Sequence, residues 1–227
     1  RTPPHNLVLS RVPAASIAPL MDDIGRAYPS LNGVTGPTAD AEAFARAWIA
    51  RHGGTWKTRF RMRLHELTSV SFPIPLPAGS LRKATDADLP LAREWVDAFV
   101  RDVGLPIAVP DMAQRLISSE LLFFWVDAGH ACSMASSSRE TRSGCAINMV
   151  YTPPQFRRCG YATAAVATLS DALLKAGRRF CCLYTDLANP TSNSIYAKIG
   201  YRPIRDDVEI GFEPDEARQR DGAHQPR

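Results

Sequence analysis

The chain has 227 residues, of which 45% are hydrophobic and 22% charged, and a formal net charge of +4. That suffices for one large globular domain, or a medium one with an extension. No apolar run reaches the roughly 18 residues of a membrane span, and no basic-then-apolar leader opens the chain, so it is expected in the cytoplasm and off the membrane. Five cysteines without a CxxC pair suit a reducing compartment and speak against a disulfide framework or a structural zinc site. The first residue is Arg rather than Met, which leaves room for a start further upstream.

In chain order, residues 31–37 (Leu-Asn-Gly-Val-Thr-Gly-Pro) read as a turn-rich connection. A helix is expected over Thr38–Gly53, with Thr38 or Asp40 as cap, Phe44, Trp48 and Ile49 as apolar stripe, and Gly53-Gly54 as stop. From Thr55 to Leu67, Lys57, Arg59, Arg61, Arg63 and His65 fall on alternate positions, and Trp56, Phe60, Met62 and Leu64 supply the other side, which Thr58 interrupts. That pattern predicts a two-faced strand, basic on one side and packed on the other. A solvated face whose charges discourage edge pairing is the plainer reading, and a surface for acidic groups the sharper one. No aromatic residue stands on the basic face itself, so the stacking platform for single strands is lacking and nucleic acid is not the expected partner.

Residues 1–71 are thus expected to form an extension holding a helix and the basic-faced strand. Residues 72–79 alternate Pro with Phe, Ile, Leu and Ala, which predicts an extended, semi-rigid connector. A domain is expected over 80–213. It opens with a strand at Leu81–Ala84, a helix over about Leu89–Val103, and a second helix from Pro110 or Asp111 through Leu116. Strands at Leu121–Val126, His130–Ala135 and Gly144–Thr152 follow, and Pro153-Pro154 ends the last by removing two donors.

The run Arg157-Arg158-Cys159-Gly160-Tyr161-Ala162 then leads into a helix with Ala165, Val166, Leu169, Leu173 and Ala176 on one stripe, closed by Gly177. The first N–H groups of such a helix have no helical partners and sit at the positive end of its dipole, so the turn is a site for phosphate or pyrophosphate. Cys159 lies beside two arginines at that helix N-terminus, and a tolerated small residue is its simpler account. A buried strand is expected at Phe180–Thr185, a helix after Asn189, and a final strand through Val208, Ile210 and Phe212, with Asp206-Asp207 as turn or bulge. Residues 214–227 read as a disordered tail.

Arg157, Gly160 and Ala162 stand at the places of the pyrophosphate loop of the GNAT superfamily of acetyl-CoA-dependent N-acetyltransferases. The run from Leu183 to Tyr201, a strand ending near Asn189 and a helix with Asn193, Tyr196 and a closing Gly-Tyr, resembles that family's second signature. The likeness extends over roughly Ser80–Phe212. It implies an α/β fold with a mixed, twisted sheet flanked by helices, acetyl-CoA as co-substrate, and transfer to a primary amine of a small molecule or peptide in a ternary complex.

The resemblance also implies roles. Val150, Tyr151 and Thr152 would pair by main chain with the pantetheine arm, while a splaying of neighbouring strands opens its slot. Arg157, Arg158, Cys159, Gly160, Tyr161 and Ala162 would cradle the pyrophosphate. Asn189 and Asn193 would orient the co-substrate, Ser194 would touch it, and Tyr196 would give a proton to the departing thiolate. Many members have Gly where this chain has Arg158. Ile195 and Ile199 are expected to face the core, turning Tyr196 about 100° towards the flank. Glu94, Asp97, Asp102 and Asp111 can meet a cationic amine or stand as ordinary solvated charges. A catalytically silent acyl-CoA-binding domain is the alternative from another class. Monomer and homodimer are both open.

Overall fold

The computed structural model describes residues 5–104, 111–138 and 141–213, with Thr191 and Ser192 by backbone alone. The expected tail, 214–227, and the helix start at Pro110 lie outside the described residues. In chain order the elements are β1 (Leu7–Val8), α1 (Ile17–Ala27), β2 (Gly33–Pro37), α2 (Thr38–His52) and β3 (Thr55–Leu67). Then come β4 (Ser80–Lys83), α3 (Leu89–Asp102), α4 (Met112–Ser118), β5 (Leu122–Asp127), β6 (His130–Ser138) and β7 (Gly144–Tyr151). The last are α5 (Tyr161–Lys175), β8 (Phe180–Asp186), α6 (Pro190–Ile199) and β9 (Arg202–Glu213). The class is the expected one, α/β with mixed strand pairing and flanking helices. No helix among the described residues is long and apolar enough to cross a membrane.

Two compact units divide the chain: residues 1–64 with 185–189 and 204–227, and residues 65–184 with 190–203. The expected division into 1–71, 72–79 and 80–213 follows the sequence, whereas these units also group distant segments.

In the first unit β1 runs parallel to β2, and β2 antiparallel to β9, with Val34 opposite Ile210. Residues 33–37 are therefore strand rather than the turn-rich connection expected. Their glycines mark close backbones: a Cβ on Gly33 would stand 2.0 Å from the Ile210 carbonyl oxygen, and one on Gly36 2.8 Å from that of Leu9. Glycine serves this purpose as readily as it serves a turn.

Helix α2 buries Ala41, Phe44, Ala45 and Trp48, a spacing that puts one stripe against β2 and β9. Neither expected cap is used: Pro37 is the N-cap residue, the Thr38 hydroxyl donates to the Asp206 carbonyl, and Asp40 accepts from the Val12 amide. On β3, Lys57 pairs with Glu213, Arg61 with Glu42 at 3.5 Å, and Arg63 with both Asp206 oxygens at 2.7 and 2.9 Å. That is a face of charges balanced by neighbours. Asp206 and Asp207 stand inside β9, which runs unbroken where a turn or bulge was expected.

In the second unit the strand order is β8-β7-β6-β5-β4. Strands β4 to β7 pair antiparallel in sequence, and β7 pairs β8 in parallel, the connection between them being α5. Alternation along the strands feeds two cores. Ala135, Ile147 and Leu183 join Val166 and Leu169 of α5 and Ile199 of α6, while Met134, Leu122 and Phe124 join Trp95 of α3 and Ile117 of α4. His65, on the expected basic face of β3, is buried, and so is Leu67 on the same side.

Candidate functional site

Two irregularities of β7 set up the site. Along its edge with β6, Ser136 faces Asn148 but Met134 faces Tyr151, so β7 carries an extra residue, and Met149 there has φ 50°. Such a bulge bends a strand and releases backbone groups from pairing. On its other edge β7 pairs with β8 only at Gly144–Ala146 opposite Phe180–Cys182, although both strands run on. From Ile147 onward β7 therefore has no register partner on β8 among the described residues. The expected carriers Val150, Tyr151 and Thr152 follow directly. The Tyr151 ring packs edge-on against Trp95, with centroids 5.9 Å apart. Ser133 donates its hydroxyl hydrogen to the Tyr151 carbonyl at 3.0 Å.

After Thr152 the chain makes a 3-10 turn over Pro154–Phe156 and enters the loop. Arg158 has φ 66°, and Gly160, the N-cap of the 15-residue α5, has φ 83°. No side chain caps α5 and no acidic residue sits in its first turn, so its leading amides are free of the commonest intramolecular competitors. Arg158, Cys159 and Gly160 are exposed, and Tyr161 and Ala162 half-buried.

Arg157 is spent on holding the loop. Its Nε donates to the Thr152 carbonyl at 2.9 Å and its Nη2 to Asp102 at 2.8 Å. Of the expected acidic candidates Asp102 thus serves this loop, while Glu94, Asp97 and Asp111 are exposed. Tyr161 donates its hydroxyl hydrogen to Asp127 at 2.7 Å, which ties α5 to the end of β5 and pushes the phenol up to about 12. The sequence offers no period or motif that pairs these distant residues.

Against the loop lies a pocket of ≈ 300 Å³. Cys159, Gly160 and Thr163 form one side, and Pro73, Pro75, Leu76, Pro77 and Lys198 the rest. Residues 72–79, read as a connector, hence run as a strap past the N-terminus of α5. A linker in solvent is expected to be polar, so the apolar residues between these prolines were the available signal.

On α6, Asn193 is half-buried and Ser194 exposed. Asn189 precedes the helix and donates its amide to the Asp186 carbonyl at 3.1 Å. Tyr196 is not on the flank. It is 8% exposed, belongs to the core cluster with Ile199 and Leu183, and packs edge-on against Tyr201 at 5.9 Å. Positions 196 and 199 are three apart and share a helix face, so burying one draws in the other. Burial alone pushes the Tyr196 phenol up to about 12, and Tyr201, which shares a 2.8 Å hydrogen bond with Ser170, goes higher still.

A raised phenol pKa makes a stability claim. The folded value lies above the unfolded one near 10, so the contribution is complete below about pH 10 and is lost as pH rises towards 12. Absorbance at the phenolate band should show Tyr161 and Tyr196 ionising later than an ordinary tyrosine, towards pH 12. A free titration of all tyrosines near pH 10 in folded protein would contradict their placement.

Among the described residues no group of three or more His, Cys, Asp or Glu is poised for a metal. Residues 129–210 match the family model described as FR47-like protein. In fold the chain is similar to the GCN5-related N-acetyltransferase from Sphaerobacter thermophilus, at 16% identity over 92% of this chain and 75% of that one, with a TM-score of 0.62. The GCN5-related N-acetyltransferase from Kribbella flavida gives 17% identity over 93% and 80%, with a TM-score of 0.60. The fold is that of the GNAT acetyltransferases. An acetyltransferase of the GNAT family from Colwellia psychrerythraea agrees, at 16% identity over 88% and 73% and a TM-score of 0.60. No curated protein matches the chain in sequence. The matched span 129–210 takes in both runs on which the GNAT resemblance rests, the loop Arg157–Ala162 and the run Leu183–Tyr201.

Proposed function

We propose that the protein moves an acetyl group from acetyl-CoA to a primary amine by direct attack in a ternary complex. The observation that carries this reading is the parting of β7 from β8 after Ala146, beside the uncapped N-terminus of α5. The unpaired backbone from Ile147 to Tyr151 suits an amide-bearing arm, and the leading amides of α5 suit the diphosphate attached to it. The amine nitrogen forms its bond to the acetyl carbon as the carbon–sulfur bond breaks. The nitrogen gives up a proton to solvent, Tyr196 supplies one to the sulfur, and the phenolate then takes a proton back from solvent.

Acetyl-CoA serves here as substrate, and the residues fit it by charge as well as shape. Arg158 is exposed beside the free amides, and the first turn of α5 holds no carboxylate to repel a phosphate. Asn193 and Ser194 on α6, with Asn189 before it, are assigned to orienting the same molecule.

The burial of Tyr196 favours one other reading, a silent acyl-CoA-binding domain whose tyrosine only packs. Calorimetry with acetyl-CoA, followed by thiol release against a panel of small-molecule and peptide amines, separates the two. Binding with turnover on at least one amine is expected. Binding without turnover on any acceptor gives the silent reading, and no binding removes both.

A further inference from the structure

Alternation sorts the strands of the second unit into two faces. Leu67, Ala135, Ile147, Cys181 and Leu183 lie in the cluster under α5 and α6, so Glu66, Ser136, Asn148, Cys182 and Tyr184 point to the other side. Helices α3 and α4 cover that side over β5, β6 and the end of β7, and their cluster takes in no residue of β8. Beyond it the face turns polar. The Ser136 hydroxyl is fully buried without a partner among the described residues, and the Asn148 amide donates to the Ser138 hydroxyl. Tyr184 is 39% exposed, so no helix of this unit closes the face there.

This face meets the gap between β7 and β8. Ala146 and Cys182 are the last register pair among the described residues, so Asn148 and Tyr184, two positions further along each strand, flank the opening on this side. The end of β3, residues 65–67, belongs to the same unit and borders β8. Neighbouring strands lie about 4.8 Å apart, so Glu66 stands about one strand width from the β8 wall of the opening.

Glu66 is half-buried, and among the described residues no hydrogen bond or ion pair engages its carboxylate. On the strands β6, β7, β8 and the end of β3, within this unit, it is the one carboxylate of the face among the described residues. Cys182 and Tyr184, a thiol and a phenol on the neighbouring strand, bring it no positive charge. A half-sheltered carboxylate left without a partner carries a desolvation cost that a cation would offset.

We propose that Glu66 receives the positive charge of the acceptor and so sets its class, amines with no carboxylate beside the reacting nitrogen. This rests on the transfer reading above and deepens it. A primary amine arrives at neutral pH as an ammonium ion, which Glu66 attracts, whereas a carboxylate on the same molecule meets Glu66 as a like charge. Diamines and amino-acid amides suit such a face, and free α-amino acids do not.

The test follows thiol release from acetyl-CoA on the full chain, with amines that differ by a single carboxylate: glycinamide against glycine, tyramine against tyrosine, cadaverine against lysine. Wild-type protein should favour the first of a pair by at least about tenfold in kcat/KM, expressed in KM, the scale of one charge contact at a partly wet site. Glu66→Gln should reduce that preference to within about twofold by weakening the first amine alone, with acetyl-CoA affinity by calorimetry and the melting temperature unchanged. Glu66→Asp should keep the preference. Equal use of both members of a pair by wild-type protein, or a preference that survives in Glu66→Gln, would overturn the assignment while leaving acetyl transfer intact. Bound acetyl-CoA with no turnover of any of these amines or of the panel above would instead remove the transfer reading, and this inference with it.

Discussion

Tyr196→Phe is expected to lower turnover by at least about 10²-fold while acetyl-CoA affinity stays within about threefold, the signature of a lost proton donor. The phenol is pushed up to about 12 by burial, so it is protonated at every working pH. A donor with so high a pKa would serve an ordinary thiolate poorly, since a thiol near 8.5 is the weaker base. The substitution removes one oxygen and keeps the ring against Tyr201, so the melting temperature should barely move. Retained turnover in the variant would sink the role of Tyr196, and the donor would have to be sought elsewhere.

Gly79→Ala should cost about 3 kcal/mol and lower the melting temperature by roughly 5–10 °C. Gly79 has φ 108°, and a Cβ there would stand 2.3 Å from the Val126 carbonyl oxygen and 2.8 Å from the Trp125 indole nitrogen. That indole is the group that ties down the strap through Ala78, so relief of the clash must come from moving either β5 or the fastening. Gly104 supplies the control. It has φ 65° with no atom of the described residues within 4 Å of the added carbon, so Gly104→Ala carries the backbone cost alone, about 1 kcal/mol. Thermal melts of the two variants decide the matter: equal shifts would mean that the contacts at Gly79 contribute nothing.

What the sequence made legible was whatever a local period or a local stop can encode. The span of α2 follows from apolar residues at helical spacing and a Gly stop, and β3 from an alternation that only Thr58 interrupts. The loop into α5 follows from Gly160, whose φ of 83° is what the turn requires. Close approach of distant backbones was not legible, and Gly33 and Gly36 were read as a turn because a glycine does not declare which of its uses applies. The same limit hid the strap: alternating proline specifies an extended shape, but not the surface on which it lies. On α6, periodicity placed Ile199 correctly and Tyr196 wrongly, because a short helix buried over more than one stripe has no flank to which an aromatic can turn. The bulge at Met149 and the parting of β7 from β8 left no mark in composition. They depend on which strand lies beside which.

The unpaired stretch of β7 has an electrostatic side. Val150 leans on one apolar cluster and Met149 and Tyr151 on the other, so the peptide units there stand between two oily layers. Such partial shelter lets a lone dipole act on a neighbouring charge more strongly than it would at a wet surface, so an oxygen that gained negative charge there would be answered by amides already in place.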